Sequence, residues 1–558
     1  MKKIVALVMI IAICISLVAC GGQQTPVETT TEPAETTAPA GLQKPEDPQV
    51  IATVVTGTEV TQIKTPDELY DAIAESGNSE ITLWQDFSQN ETIYLPYSCS
   101  MDFNGCTLAV WTDFGAGIQV DAAGLENTVT TLKNGTLRQE NVGVQVMEGG
   151  IVLENMTVSC QTGAALSVYD VDPANRANNL VKNSTLATTG ACIQFQLYAE
   201  NAVEGAKTGV KLENSSLISD RENNGVMFAS GGDGTLNCVV ELDEASKLYS
   251  RSNTLAAEKF LYSGCIYNRS ADTASVTAGQ DTYDGLYCWS AEQRNDVIDL
   301  LMIGNSFCYY YVQELYGIAN AAGVEMNVVN LYEAGCNVQE HWTWLSSEAA
   351  GKDKYDLWVT NAMGRWKHGD IRTSYETLAY RDWDVISLQQ HFKPSVTINY
   401  DVAMNTCLPY TDNLFGYLKE QYPDAKLYWH QTWAYQVGHE EIADASVQDR
   451  QQQVIIQASA AISSANGVDQ IPCGEAWKIA RADSRVGDSL CLNDKYHDGD
   501  LGGGQYLNAC VWFEVLSGKS CIGNTWRPDY KLSEEKIAAL QEAAHAAVAA
   551  MYGEDYAK

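Results

Sequence analysis

Histidine is scarce in this chain and one-sided: all seven lie beyond residue 340. The earlier part therefore has no imidazole for general-base or metal chemistry. Paired cysteines are missing too. None of the sixteen stands in a CxxC pair or interleaves with histidine, which argues against a zinc site, and no metal or cofactor is expected. Basic residues are few, 35 against 71 acidic ones, for a net charge of −36. That balance excludes nucleic acid as a partner and disfavours docking on an anionic membrane surface.

What is present begins with a leader. Lys2 and Lys3 precede an apolar run from Ile4 to Val18, too short and too early for a stable membrane span. The run ends Leu17-Val18-Ala19-Cys20-Gly21, which resembles a bacterial lipobox. The resemblance implies cleavage after residue 19, acylation of Cys20 and a lipid-anchored position on the cell surface. Residues 21–48 carry Thr, Glu, Pro and Ala with little apolar bulk, so they are expected to stay extended as a disordered tether. The remainder is too long for one core and predicts at least two domains, 49–290 and 291–558. Cys160, Cys192 and Cys510 lie in apolar stretches and are expected as buried small side chains. Export permits disulfides, whose pairing stays open.

A phrase recurs between residues 100 and 220. It reads Phe103-Asn104-Gly105-Cys106-Thr107-Leu108, then returns around Asn134, Asn155, Asn183 and Asn214, at steps of 30, 21, 28 and 31 residues. Most copies are trailed by a second short apolar phrase, such as Gly117-Ile118-Gln119-Val120. Short alternating strands repeated at this period are the mark of stacked coils, with Asn at corners that need a left-handed backbone. This half resembles the right-handed parallel β-helix of pectate-lyase-like proteins. Thr65-Pro66-Asp67-Glu68 opens a short helix expected to cover the first coil. The charged loops around Asp170, Asp172 and Arg176, and around Arg221-Glu222, are expected to be solvated. Binding or spacing suits this half better than catalysis.

The pattern changes near residue 290. Val297 to Ile303 is a near-continuous apolar run, expected as a strand buried on both faces, and it ends in Gly304-Asn305-Ser306-Phe307 before an amphipathic helix. Further apolar runs alternate with helical stretches, which predicts an α/β three-layer domain with a parallel sheet and its reactive residues at the strands' C-terminal ends. Later come Ala334-Gly335, Leu388-Gln389-Gln390-His391 and Asp494-Lys495-Tyr496-His497. With these four blocks in order, residues 296–552 resemble the SGNH/GDSL hydrolases, in the branch whose first block reads GNSF. The resemblance implies Ser306 as nucleophile, His497 as general base and Asp494 as its orienting carboxylate. It also implies an oxyanion hole from the Ser306 and Gly335 N–H groups and a Gln389 or Gln390 amide, where the superfamily has Asn. Strand alternation is expected to point only one of the two glutamines inward.

Asn305, His391, His430 and Trp433 are candidates to line the pocket, with a satisfied structural role open for both histidines. His341, His368 and His439 fall in connecting segments and are expected at the surface. Trp342, Trp344, Trp358 and Trp366 lie between the second and third blocks, where an insertion near the strand ends is expected to form a rim or lid. Aromatic planes suit sugar rings, so the expected function is ester hydrolysis on an extracellular carbohydrate. Two other classes fit the sequence: a non-catalytic glycan-binding surface protein, and a polysaccharide lyase or glycosidase acting through the β-helix.

Overall fold

The computed structural model describes residues 42–558, apart from 76–78, 97, 113–114, 122–127, 170–178, 197–206, 222–226, 231–236, 256–259, 369–377 and 379–380. The leader with Cys20, most of the tether and the loop of Asp170, Asp172 and Arg176 lie outside the described residues. Lys44–Lys558 form one compact unit.

In the first half, strands pair in parallel with the strand one repeat further on. Leu132, Leu153, Val181, Leu212 and Leu242 stand opposite one another in successive strands. Leu137, Val158, Leu186, Leu217 and Leu248 form a second such row. Both rows are buried, because each strand alternates apolar and polar side chains and only one face turns inward. A separate sheet of six short parallel strands runs from Ile93–Leu95 to Met227–Ser230. Between the leucine rows sit the five asparagines. All have positive φ, from 46° to 60°, and their amides bond across repeats: Asn155 to Asn134 at 2.9 Å and Asn214 to Asn183 at 2.8 Å. The ends are antiparallel. Ala52–Thr56 pairs with Glu59–Ile63 and Glu80–Leu83 beside the expected helix, Pro66–Glu75, and a hairpin of Asn268–Ala278 and Asp281–Ser290 lies antiparallel to Lys247–Ser250.

The second half is an α/β domain on a seven-stranded sheet. Its order is Gly364–Lys367, Asp356–Asn361, Glu325–Tyr332, Val297–Gly304, Val385–Gln389, Lys426–His430 and Asp469–Ile471. The last five are mutually parallel; four of them coincide with the apolar runs of the sequence, and the edge strand Asp469–Ile471 does not. The first two are antiparallel, which corrects the expectation of a rim or lid. Residues 356–367, with Trp358 and Trp366, extend the sheet instead, while Trp342 and Trp344 lie on the preceding helix Val338–Leu345. Asn361 caps a tight turn by accepting from Met363 N–H at 2.8 Å, and Gly364 supplies a positive φ, so the chain folds back as a hairpin with Trp366 buried in it. His341 is also corrected. It lies on the inward face of the helix Val338–Leu345, wholly buried, with Nδ1 against the Tyr355 hydroxyl at 2.7 Å and Nε2 against the Cys336 thiol at 3.1 Å.

The halves meet through a buried polar network. Asp299, on the central strand, accepts from Arg381 at 2.5 Å and from Asn327 at 2.7 Å. Asn327 also reaches Asn268 of the first half, and Asn361 donates to the Tyr267 carbonyl there. Among the described residues no disulfide joins the fourteen cysteines, and Cys160, Cys192 and Cys510 are buried as expected.

Candidate active site

The central strand ends at Gly304, and the chain turns sharply through Asn305 into the short turn Ser306–Cys308. Side-chain crowding dictates the glycine: a Cβ at 304 would lie 2.8 Å from the Gln389 side chain and 2.9 Å from the Cys308 sulfur. Asn305 then ties three segments together. Its Oδ1 accepts from Phe307 N–H at 3.0 Å and from the Gln389 amide at 2.5 Å, while its own Nδ2 donates to the Cys336 carbonyl at 2.7 Å. The result is a fixed platform on which Ser306, 8 % exposed, is presented.

Across from it lies the turn Asp494–His497. Lys495 takes a left-handed φ of 67°, and Asp494 Oδ1 accepts from the N–H groups of Tyr496 and His497, both at 3.1 Å. His497 Nε2 stands 2.7 Å from Ser306 Oγ, and His497 Nδ1 stands 2.7 Å from Asp494 Oδ2. The arrangement fits an imidazole protonated on Nδ1, donating to the carboxylate and accepting from the serine hydroxyl. Partial burial pushes the Asp494 carboxyl up, but the bonds from His497 and the two N–H groups outweigh it and hold the group below its ordinary range. Ser306, His497 and Asp494 are thus brought together from residues 191 apart in the chain.

Gly335 follows the neighbouring parallel strand with a φ of 71° and open space beside its Cα. Neither its N–H nor that of Ser306 is bonded elsewhere among the described residues, so both are free to face a substrate oxygen. The glutamines divide differently from expectation. Both are buried, because the strand stops at Gln389 and alternation no longer governs Gln390. Gln389 is committed to Asn305. Gln390 accepts from Val338 N–H at 3.0 Å through Oε1, leaving its Nε2 with one long contact, 3.5 Å, to the His391 carbonyl.

Of the remaining candidates, His391 packs beside the turn that presents the nucleophile. It stacks on Phe307 with ring centroids 4.2 Å apart, and its Nε2 meets the Tyr435 hydroxyl at 2.5 Å. Burial first, then Lys393 and His497, pushes its imidazole down to about 3, so it is neutral at pH 7. Trp433 does not open on the cleft, contrary to expectation, and His430 takes the structural place that the sequence left open. Trp433 is sandwiched between Phe307 and Trp477, with its indole N–H bonded to the Tyr496 carbonyl. His430 is 1 % exposed among Tyr311, Trp433 and Trp512, because its strand is covered there by the helix Gly504–Ser517. The sequence reading missed the half-buried rings that do border the triad: Tyr310 stands edge-on to His497 at 5.2 Å and Tyr496 lies 4.1 Å from it. Their adjacency to Ser306 and His497 in sequence was the available signal. No group of metal-ligating side chains occurs among the described residues.

A Ser–His–Asp chain at the parallel strand ends of an α/β domain is the class this geometry defines. The chain belongs to the DUF4886 family, a domain of unknown function, whose family model matches residues 299–547. It is 30% identical to a DUF4886 family protein of known crystal structure from Bacteroides uniformis, over 46% of this chain and 96% of that one, with a TM-score of 0.40. Lower likenesses include a GDSL-like lipase from Parabacteroides merdae, 15% identical over 40% of this chain and 96% of that one, TM-score 0.27. A variant of an acetyl xylan esterase from Geobacillus stearothermophilus is 13% identical over 39% and 94%, TM-score 0.27. These describe those proteins and bring no chemistry to this one. No curated protein matches the chain.

Proposed function

We propose that this chain is a serine ester hydrolase acting through Ser306, His497 and Asp494. The observation that carries the reading is the pair of 2.7 Å hydrogen bonds linking serine to imidazole to carboxylate. Ser306 Oγ attacks the ester carbonyl as its proton passes to His497 Nε2, and Asp494 stabilises the imidazolium that forms. The developing oxyanion faces the N–H groups of Ser306 and Gly335, with the Gln390 amide as third donor. His497 returns the proton to the leaving alcohol. Water, deprotonated by the same imidazole, then cleaves the acyl-enzyme.

The substrate we infer is an extracellular carbohydrate ester. The rings of Tyr310 and Tyr496 beside His497 support it, since sugar C–H faces pack on aromatic planes. The parallel rows of the first half support a right-handed β-helix over 49–290 that holds or spaces a glycan beside the hydrolase domain 291–558. The lipobox-like sequence supports a lipid anchor on Cys20 and a place on the bacterial surface.

The test is hydrolysis of p-nitrophenyl acetate and of acetylated glycans by the wild type, Ser306→Ala and His497→Ala. Turnover should fall by about 10³-fold or more in both variants with native circular dichroism, residual rate coming from the oxyanion donors. Turnover indifferent to both substitutions would defeat the reading.

A further inference from the structure

Directly after the triad histidine stands a carboxyl group that the proposed chemistry does not use. Asp498 is 0 % exposed, and among the described residues it has no ion-pair partner. One oxygen, Oδ1, meets no hydrogen-bonding group, while Oδ2 accepts from Asn508 Nδ2 at 3.3 Å. A carboxylate sealed from water, with only one 3.3 Å side-chain donor and its own backbone N–H, is costlier than the neutral acid. Its surroundings reinforce this: burial above all, with Glu314 and Asp494 repelling a negative charge, pushes the carboxyl well above its ordinary range.

The backbone around it is held on two sides. His497 O accepts from Leu492 N–H at 2.8 Å, Gly499 N–H donates to the Leu490 carbonyl at 2.7 Å, and Asp498 pairs with Cys491. On the other side the Asp498 carbonyl accepts from Gln505 Nε2 at 3.1 Å, and Asn508 is itself oriented by the Trp477 indole N–H at 2.7 Å. Gln505 and Asn508 both belong to the helix Gly504–Ser517. The segment bearing His497 is thus docked on a buried helix through the next residue.

We propose that Asp498 is a positioning residue: its buried side chain, bonded to Asn508, clamps the His497 turn to the helix Gly504–Ser517 and so fixes the imidazole at hydrogen-bond distance from Ser306. The proposal rests on the ester-hydrolase reading and assigns a group that reading leaves idle. An amide is the isostere of a protonated acid, so Asp498→Asn preserves the clamp, whereas Asp498→Ala removes it and lets the turn drift.

The experiment uses the full chain, with two readouts: the rate at which a fluorophosphonate labels Ser306, and kcat and KM on p-nitrophenyl acetate. Asp498→Asn should stay within about threefold of wild type in both. Asp498→Ala should lose about 10–100-fold in labelling rate and kcat with KM little changed, the scale of a small misplacement of a catalytic group. Should Asp498→Ala fail to fold, Asn508→Ala replaces it and should show the same loss. Asp498→Asn as slow as the alanine variant, or alanine variants as fast as wild type, would overturn the clamp. A wild type that is not labelled, or labelling that survives in Ser306→Ala, brings down the hydrolase reading and the clamp with it.

Discussion

The two halves solve the problem of buried polarity in opposite ways. The first half makes it periodic: the buried hydroxyls of Ser184, Ser215 and Ser246 each accept from a backbone N–H one repeat earlier, and each buried leucine faces another apolar side chain in the adjoining strand. The second half concentrates it. Asp299 with Arg381, His341 with Tyr355, the Gln389–Asn305–Cys336 chain and the lone Asp498 occur once each and have no repeat to back them. Locally costly groups gather where a protein does chemistry or locks an interface, and repetition serves stability. A given change should therefore weigh very differently on the two sides.

The sharpest form of that contrast is the exchange of a carboxylate for an amide. In Asp494→Asn the oxygen still accepts from the Tyr496 and His497 N–H groups, so the turn survives. The new NH₂ faces His497 Nδ1, however, and forces that nitrogen to accept. The proton then sits on Nε2, where it cannot take another from Ser306. On the proposed function, kcat should fall about 10³–10⁴-fold with unchanged thermal stability. The same exchange in the first half, Glu154→Gln, breaks the solvent-screened pair with Lys182 and should leave the melting temperature essentially unchanged. Ester kinetics and melting curves on the two variants make the comparison, and equal effects would erase it.

Next in size is the joint between the halves. Arg381→Ala leaves Asp299 buried beside Asn327 with its cation gone, although burial already holds this carboxyl above its usual range. The expected cost is about 3–5 kcal/mol, read as a lower urea midpoint, because an uncompensated buried charge costs more than the pair contributes. A single cooperative transition should persist, since one hydrophobic cluster runs from Ala52 through Trp289 to Leu331. Two separate transitions would show that the halves unfold independently.

How much of this was legible follows the same division. Repetition made the leucine rows and asparagine corners readable, because one phrase seen five times carries its own periodicity. The triad was readable for another reason: four short blocks in fixed order at apolar strand ends leave few alternatives. Unreadable were the contacts decided by packing across distant segments. Arg381 gives no hint that it meets Asp299, and Trp358 and Trp366 do not announce an antiparallel hairpin. His341 looked like a loop residue because the helix that turns it inward is only eight residues long. The glutamine pair was misjudged because alternation holds within a strand and Gln390 lies one residue past its end.

Acid should also separate the halves. His341 and His430 are pushed down to about 3 by burial, against roughly 6.5 in the unfolded chain. Below 6.5 the unfolded state binds protons that the folded state refuses. Stability is therefore whole above that pH and is lost progressively as pH falls toward 3. At pH 5 the loss is about 2 kcal/mol for each histidine. His430→Phe should remove its share and keep the fold, since neither ring nitrogen has a partner to lose. Urea unfolding at pH 7 and pH 5 measures the difference, and an acid loss identical in the variant would assign it elsewhere.

The smallest effect tests whether a rung of the ladder matters singly. Asn183 has a φ of 48° and offers Oδ1 to Asn214 at 2.8 Å, on an exposed edge. Alanine loses both the tolerance for that backbone and the amide bond, so Asn183→Ala should cost about 1–2 kcal/mol. Glycine restores the backbone but not the amide. Asn183→Gly should thus recover the larger part of the loss if conformation is the corner's main contribution, offset slightly by the greater entropy of the unfolded glycine. Equal destabilisation by both would shift the weight to the amide bond that each Asn pair makes across repeats, and would make the first half more cooperative than its repeating plan implies.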